Sequence, residues 1–303
     1  MEELYYNLTQ ILKEDNIRRN EPMDKHTSLH IGGEADYFVN PSTIDEINAI
    51  INLCSSKSVP YYIMGNGSNL LVSDKGFRGL IIKLAEGFSE VDVDENGLVT
   101  AEAGILLSKL SSVVARKGFT GFEFAAGIPG TLGGAVVMNA GAYDGEMKHC
   151  IIKVKVMDDE GRIFELSKEE LELGYRSSIL QKKSLVVIEA VLKLENGITT
   201  DINKKINYLN SLRREKQPLD QFSAGSTFKR PVGYFAGKLI NDAGLRGFQI
   251  GQAAVSEKHC GFVINKGNAT AKDFLAVITE VIRIVFEKYG VKMETEVKFL
   301  GGF

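Results

Sequence analysis

The feature that most constrains the fold of this chain is a glycine-rich segment, AGIPGTLGGAVVMNAGA, at residues 126–142. Its glycines are Gly127, Gly130, Gly133, Gly134 and Gly141. Such density lets the main chain approach a ligand closely and lets several N–H groups converge on a phosphate. The structural alternative is a bulged turn at a strand end. A second loop, MGNGSNLLV at 64–72, allows the same two interpretations.

Neither loop carries a common nucleotide fingerprint. The stretch GNGSNL lacks the third glycine of G-x-G-x-x-G, and no helical pattern follows it. The stretch GIPGTLGG lacks the lysine and the Ser or Thr of a P-loop. If these loops hold a dinucleotide, they do so in a fold other than the Rossmann or P-loop folds.

The bulk properties describe an ordinary globular protein of more than one lobe. A length of 303 residues exceeds the usual size of a single core. Hydrophobic residues make up 44% and charged residues 25%, so disorder is not expected. The net charge of -3 argues against binding to a nucleic-acid backbone, and any basic residues that matter should act locally as ligand clamps.

The cysteines and the apolar runs of the sequence indicate the cellular compartment of the protein. Cys54, Cys150 and Cys260 are widely spaced and odd in number, which indicates neither a zinc site nor a disulfide framework and suits a reducing cytoplasm. The acidic start MEELYYNLTQILKED does not resemble a signal peptide. No run of about 18 apolar residues predicts a membrane span.

Local patterns predict an α+β chain with three lobes, at 1–84, 85–197 and 198–303. In the first lobe, Thr43 and Glu46 form a capping box ahead of a helix, and YYIMG follows as a strand. In the second, Asn96-Gly97 predicts a hairpin, ILLSKLSSVVARKG a helix that ends at Gly118, and IIKVKVMDDEGRIFEL another hairpin.

The third lobe is predicted to begin with a helix at about 201–216 and to close with a long helix and a strand. In the long helix, the apolar stripe is predicted to comprise Leu275, Ile278, Ile282 and Val285. In the strand VKMETEVKFL, alternation predicts one apolar face with the members Val291, Met293, Val297 and Phe299.

Three isolated polar residues could carry chemistry. Arg176 in GYRSS and Glu296 in ETEV could equally be solvated surface charges, and Ser226 in AGSTFKRP could be a turn residue. None of the four histidines, at 26, 30, 149 and 259, lies near Ser226 in sequence, and G-x-S-x-G is absent. Ser226 is therefore either structural or a group that handles a proton rather than a bond to carbon.

Taken together and in order, the motifs resemble those of the UDP-N-acetylenolpyruvoylglucosamine reductases (MurB). The matching stretches are HTSLHIGGEADYFVNP, GNGSNLL, GIPGTLGGAVVMNAGAY, GYRSS, AGSTFKRP, AGKLINDAGLRG, VSEKHCGFVIN and ETEVKFLG. They span residues 26–301. The resemblance implies a two-lobed FAD-binding domain of the vanillyl-alcohol oxidase and p-cresol methylhydroxylase type, followed by a C-terminal α+β substrate-binding domain.

The resemblance also assigns residues to ligands. It implies non-covalent FAD, with NADPH as the reductant. Expected at the FAD are Gly65, Asn66, Gly67, Ser68, Asn69, Leu70, Gly127, Ile128, Pro129, Gly130, Thr131, Gly133, Gly134, Ala135, Asn139, Gly141 and Ala142. Expected at the UDP or sugar portion of the substrate are Lys216, Arg230 and Lys238. No metal is implied.

The catalytic residues implied by the resemblance are Arg176, Ser226 and Glu296. The implied reaction transfers hydride from the flavin to the enolpyruvyl group of UDP-N-acetylglucosamine enolpyruvate, and Ser226 gives the proton that completes UDP-N-acetylmuramate, a peptidoglycan precursor. Arg176 would bind the carboxylate, because a guanidinium is permanently charged and can bind in bidentate fashion. Glu296 would donate a hydrogen bond, which requires burial that keeps it protonated.

The chain departs from the longer form of the family. The segment between Arg176 and Ser226 leaves little room for the inserted loop whose tyrosine closes over the substrate, so the shorter subclass is predicted, with Tyr175 and Tyr234 as candidate covers. A cytoplasmic monomer is expected. Two rival interpretations are another oxidoreductase of the same FAD fold and a non-catalytic nucleotide-sugar binding protein.

Overall fold

The computed structural model describes residues 2–183 and 185–303. Runs of two or more consecutive strands are separated by single helices through much of the described chain. The helices are α1 (Glu2–Thr9), α2 (Ile44–Ser56), α3 (Leu107–Arg116), α4 (Leu132–Val137), α5 (Thr199–Lys216), α6 (Ala236–Asp242) and α7 (Ala271–Tyr289).

The strands are mostly short. They are β1 (Ile17–Pro22), β2 (Glu34–Val39), β3 (Tyr61–Met64), β4 (Leu70–Val72), β5 (Phe77–Lys83), β6 (Val91–Val93), β7 (Leu98–Glu102), β8 (Phe119–Thr120), β9 (Gly141–Ala142), β10 (Gly145–Glu146), β11 (Ile151–Met157), β12 (Ile163–Ser167), β13 (Val186–Lys193), β14 (Glu195–Asn196), β15 (Phe222–Ser223), β16 (Gln249–Ile250), β17 (Ala253–Val255), β18 (Val263–Asn265) and β19 (Lys298–Leu300).

The chain forms two compact units, each made of three chain segments. Unit 1 comprises Met1–Arg19, Tyr37–Asn66 and Gly79–Leu212. Unit 2 comprises Asn20–Asp36, Gly67–Arg78 and Arg213–Phe303. The predicted division into three lobes at 84 and 197 stays a prediction.

Unit 1 is organised around a sheet of order β12-β11-β13-β7-β6, whose neighbours all pair antiparallel. In addition, β3 pairs parallel with β5 through Tyr61↔Leu80. The capping box of α2 is formed, since Thr43 accepts from the Glu46 N–H and the Glu46 carboxylate accepts from the Thr43 N–H. The predicted hairpins and the end of α3 before Gly118 are confirmed.

Unit 2 carries a sheet of order β15-β18-β17-β16 packed against α7, and a parallel pair β4-β19. The predicted stripe of α7 is partly wrong. Ile278 and Val285 are buried, but the remainder of the buried face is Ala271, Phe274, Val277 and Val281, while Leu275 and Ile282 are only half-buried. Two of the four predicted members thus belong to the buried face, and the other two lie at its edge.

The predicted closing strand is also partly wrong. Only Lys298–Leu300 forms a strand, and Phe299 is exposed whereas Leu300 is buried. The reason is that these residues pair in parallel with Leu70–Val72, and this pairing fixes which side chains face inward. Met293 and Val297 are buried, as predicted.

Candidate functional site

In unit 1, the second glycine loop uses some of its glycines to pack against protein. A Cβ added to Gly133 would lie 2.9 Å from the Cβ of Ala103, and one added to Gly141 would lie 2.5 Å from the carbonyl oxygen of Gly145. At Gly134 the nearest atom, Oγ1 of Thr131, would be 3.7 Å away, which is an ordinary contact. Gly133 and Gly141 are thus required by the fold, whereas Gly134 is free to meet a ligand.

Asn139 connects this loop to the segment that carries Arg176. Its side chain is fully buried. Nδ2 donates to Oε2 of Glu146 at 2.8 Å and to the carbonyl of Gly174 at 2.9 Å, and Oδ1 accepts from the N–H of Lys148 at 2.9 Å. Both amide hydrogens are therefore used within the protein. The expected role of Asn139 at the FAD would then rest on its main chain.

Arg176 lies against the same loop. Its Nη2 donates to the carbonyl of Gly141 at 3.0 Å, and its guanidinium lies 5.2 Å from the ring centroid of Tyr175. The residue has a positive φ of 51°, and its carbonyl accepts from Nε2 of Gln181. Unit 1 therefore brings Arg176, Gly141 and Asn139 together, as a site that includes all three requires.

The first glycine loop begins in unit 1, where it meets the second. A Cβ added to Gly65 would lie 2.1 Å from Oγ1 of Thr131, so only glycine fits there. Nδ2 of Asn66 donates to the carbonyl of Pro129 at 2.8 Å. Two loops predicted to bind the same cofactor are thus in direct contact.

The N–H groups of the first loop are available to a ligand. Within residues 2–183 and 185–303, the main-chain N–H groups at 65–69 donate to no described acceptor. The carbonyls of Gly67 and Asn69, in contrast, accept from the N–H groups of Ser28 and Lys298. A row of unpaired N–H groups on a glycine loop suits an anion such as a pyrophosphate.

In unit 2, Ser226 and Glu296 lie on paired segments. The N–H of Glu296 donates to the carbonyl of Thr227 at 2.8 Å, and the N–H of Lys229 donates to the carbonyl of Glu294 at 2.9 Å. Between these bonds Phe228 and Thr295 form an antiparallel bridge. The structure therefore brings the segments of these two predicted catalytic residues together, although they are far apart in sequence.

Ser226 is exposed, whereas its neighbour is anchored. Thr227 is fully buried, its N–H donates to the carbonyl of Gly261, and its Oγ1 accepts from the N–H of Val263 at 2.9 Å. Gly225, on the other side, has a φ of 74°, which favours glycine. A rigid Thr227 after a glycine turn presents the Ser226 hydroxyl to solvent from a fixed main chain.

Two lysines lie on the paired segments that carry Ser226 and Glu296. Burial, and after it the nearby Lys229, lowers the pKa of Lys298, while Glu296 acts in the opposite direction. Lys229 also forms an ion pair with Glu294 at 3.0 Å, which lowers the pKa of Glu294. The basic residue next to the serine motif is thus part of a local charge network.

The residues expected at the UDP or sugar portion all belong to unit 2. Lys216 ends α5, the guanidinium of Arg230 lies 4.6 Å from the ring centroid of Phe235, and Lys238 pairs with Asp242. Lys238 is therefore engaged with a carboxylate on its own helix. These three assignments stay predictions.

One motif received no role from the sequence, and the structure supplies one. In HTSLHIGG, the N–H of Ser28 donates to the carbonyl of Gly67 at 3.3 Å, and its hydroxyl donates to the carbonyl of Ser223 at 2.7 Å. Ser28 thus links the first glycine loop to the strand before Ser226. No periodicity or spacing in the sequence signals this role.

The segment between Arg176 and Ser226 is occupied by regular elements. Its described residues form β13, β14, α5 and β15, which agrees with the prediction that the tyrosine loop is absent. Tyr175 and Tyr234 are exposed at 51% and 47%, and their role as covers of the substrate stays a prediction.

The described residues contain neither a cluster of metal ligands nor a helix that could cross a membrane. No group of three or more His, Cys, Asp or Glu side chains in that part of the chain could hold a metal ion. Among the helices described, none combines the length and the apolar character that crossing a membrane requires.

Family models match both parts of the chain. Residues 35–167 match the FAD binding domain model, and residues 217–300 match the model of the C-terminal domain of UDP-N-acetylenolpyruvoylglucosamine reductase. The predicted combination of an FAD-binding domain with a C-terminal domain of this family is confirmed.

Relatives with this name match over nearly the full length. The reductase of Lachnoclostridium phytofermentans is 55% identical over 97% of this chain and 96% of its own length. That of Clostridioides difficile is 49% identical, with 99% and 98% covered.

Solved structures agree with these matches. The crystal structure of MurB from Thermus caldophilus is 35% identical, with a TM-score of 0.79 over 94% of this chain and 99% of that one. At the level of fold alone, p-cresol methylhydroxylase matches with a TM-score of 0.51 at 13% identity, over 97% of this chain and 66% of that one. The predicted fold class is confirmed, and the chain belongs to the UDP-N-acetylenolpyruvoylglucosamine reductase family.

Proposed function

We propose that this protein is an FAD-dependent reductase that converts the enolpyruvyl ether of UDP-N-acetylglucosamine enolpyruvate into the lactyl ether of UDP-N-acetylmuramate, with NADPH as reductant. The observation that carries this proposal is the pairing of the segments bearing Ser226 and Glu296 in unit 2. The relatives named for this reaction support it. Its setting would be the cytoplasm, in the synthesis of peptidoglycan precursors.

The described residues fit the cofactor. The N–H groups at 65–69 offer donors to a pyrophosphate, and Gly134 leaves room for a close approach. Reduced FAD, when bound, supplies the hydride that the terminal alkene carbon receives. The protein's own residues then have two tasks, which are to stabilise the charge that develops beside the substrate carboxylate and to deliver one proton.

Arg176 and Glu296 suit the first task. The guanidinium of Arg176 can bind the substrate carboxylate in bidentate geometry, and it stays charged at any working pH. Glu296 is half-buried and would act as a hydrogen-bond donor in its protonated form. The developing negative charge is then met by a cation and a donor.

Ser226 suits the second task. The carbon next to the carboxylate becomes a strong base as hydride arrives, so a weakly acidic hydroxyl in the right place can protonate it. The main-chain anchors of Thr227 provide that fixed position. No histidine base is needed, because the serine gives a proton and does not attack a carbon atom.

The test measures the two half-reactions separately under anaerobic conditions. In Ser226→Ala, reduction of the flavin by NADPH should be unchanged, and reoxidation by UDP-N-acetylglucosamine enolpyruvate should slow by about 10²- to 10⁴-fold, as for a lost general acid. Ser223→Ala is the matched control, because it removes a hydroxyl from the strand just before Ser226 without touching the proposed proton donor.

The outcomes separate the alternatives. Normal reoxidation in Ser226→Ala would remove this serine from the mechanism. Wild-type protein that reoxidises with oxygen but not with the enolpyruvyl substrate would indicate another oxidoreductase of the same fold. A purified protein that neither contains nor binds flavin would indicate a nucleotide-sugar binding protein.

A further inference from the structure

Both main-chain groups of Glu296 are held within unit 2. Its N–H donates to the carbonyl of Thr227 at 2.8 Å, and its carbonyl accepts from Nδ2 of Asn69 at 3.1 Å. The first bond joins Glu296 to the neighbour of Ser226, and the second joins it to the first glycine loop. With both groups fixed, the direction in which the Glu296 side chain leaves the main chain is fixed as well.

Asn69 is tied to this segment by its main chain too. Its carbonyl accepts from the N–H of Lys298 at 3.0 Å, and the next residue, Leu70, pairs with Lys298 in the parallel β4-β19 ladder. The main-chain bond alone would hold the two segments side by side. The side-chain bond to the carbonyl of Glu296 is additional, and it acts on the residue whose carboxyl group matters.

We propose that Asn69 is a positioning residue for Glu296, through which the cofactor loop sets the geometry of the acid that faces the substrate. This inference rests on the proposed function. It differs from the expectation that Asn69 serves only to bind FAD, because one hydrogen of its amide is already given to the Glu296 carbonyl. The N–H groups of the same loop stay free for the cofactor.

The test is Asn69→Asp, which keeps the shape of the side chain and replaces the donor by an acceptor. A displacement of Glu296 by a fraction of an ångström should slow flavin reoxidation by the enolpyruvyl substrate by about 10- to 100-fold. In Asn69→Ala, which adds no charge to the cofactor loop, reduction by NADPH and the dissociation constant of FAD should change by less than about threefold. Asn69→Ala, which deletes the donor without adding charge, gives the same result and serves where the Asp variant does not fold.

Asn66→Asp is the matched control. It introduces the same change into the same loop, but Asn66 donates to the carbonyl of Pro129 and not to the Glu296 segment. Its loss of FAD affinity measures what a charge in this loop costs cofactor binding. The control for activity is Asn52→Asp on α2, where Nδ2 donates to Oδ1 of Asn48, and this variant should be reoxidised by substrate at the wild-type rate. A second readout is hydrogen exchange in a peptide covering residues 294–298, which should be faster in Asn69→Asp and unchanged in Asn66→Asp.

Three results would overturn the inference. The first is an Asn69→Asp variant that is reoxidised by substrate at the wild-type rate. The second is a loss of FAD affinity that is the same in the Asn69 and Asn66 variants and explains the whole defect. The third is a wild-type flavin that the enolpyruvyl substrate does not reoxidise, which overturns the proposed function as well and so is distinguishable from the other two.

Discussion

The two units differ in how their candidate functional residues are held. In unit 1, Gly133 and Gly141 of the second glycine loop pack against neighbouring protein atoms. The side-chain amide of Asn139 makes all its hydrogen bonds within the protein. In unit 2, the anchored residue is Thr227, and its neighbour Ser226 is exposed. Residues of one motif therefore have two kinds of role: some hold the main chain in place, and others are left exposed to contact a ligand.

The largest expected effect tests whether Asn139 stabilises the fold of unit 1. Asn139→Ala removes three hydrogen bonds of a fully buried side chain, and it puts alanine at a φ of 41°. Because each hydrogen bond contributes about 0.5–1.5 kcal/mol and the left-handed backbone costs alanine roughly 1–2 kcal/mol, we expect a loss of roughly 3–5 kcal/mol in the free energy of unfolding. Urea denaturation followed by circular dichroism measures it.

The control for this prediction is Asn66→Ala. Asn66 is exposed and makes one side-chain bond, to Pro129, so its loss should cost less than about 1 kcal/mol. If the two variants were equally stable, the buried bonds of Asn139 would not be what holds this part of unit 1.

A smaller effect distinguishes two adjacent glycines. In Gly133→Ala the new methyl group meets Ala103 at 2.9 Å, and we expect a loss of about 1–3 kcal/mol from overpacking. In Gly134→Ala the nearest atom is 3.7 Å away, so stability should be kept or rise by up to about 1 kcal/mol. The free energy of unfolding of both apo variants is the measurement.

The variants of Gly133 and Gly134 also distinguish a role in packing from a role in FAD binding. Gly134→Ala should weaken FAD binding by about tenfold, equal to ~1.4 kcal/mol, if its methyl group occupies space that the cofactor needs. Flavin fluorescence titration reports the dissociation constant. Equal stability losses at 133 and 134, with unchanged FAD affinity at 134, would show that both glycines serve packing.

The last effect concerns pH and the buried thiols. Unit 1 contains the buried thiols of Cys54 and Cys150, and burial raises the pKa of each to about 12 from 9.0. Because the pKa is raised in the folded state, the stabilisation that each buried neutral thiol gives to folding is complete below pH 9. It is lost as the pH rises from 9 towards 12. Each thiol should therefore lower the free energy of unfolding by up to about 1.4 kcal/mol per pH unit in that window.

This dependence is measured by urea denaturation between pH 8 and pH 10.5. Cys54→Ala should have a flatter slope than the wild type over that range, because the thiol that must ionise on unfolding has been removed. In unit 2 there is a single thiol, Cys260, whose pKa burial also raises. Identical slopes in Cys54→Ala and the wild type would contradict the proposed origin.

What the sequence predicts well is decided by neighbouring residues. The capping box at Thr43 is read from two positions three apart, and the hairpin at Asn96-Gly97 is completed by the Asp94 carboxylate, which accepts from the N–H groups of Asn96 and Leu98. Such signals need no knowledge of the rest of the chain, because the interacting groups are already adjacent.

What the sequence predicts badly depends on distant partners. The burial of Leu300 in place of Phe299 follows from pairing with β4, and neither strand shows this in its own alternation. The nearness of Ser226 to Glu296 was expected from family resemblance and not from any pattern in the residues. The bonds of Asn69 and Ser28 could not be foreseen at all, since they are decided by where the folded chain places two carbonyls.

The link from Asn69 to Glu296 also has a consequence for how the protein is made. The two residues lie 227 positions apart, so closing this contact requires nearly the whole chain to have been synthesised. During synthesis β4 emerges long before its partner β19. Until β19 has been made, the first glycine loop lacks the support of that strand. Contacts of such long range are slow to form, and unit 2 is therefore expected to complete its fold after the central sheet of unit 1.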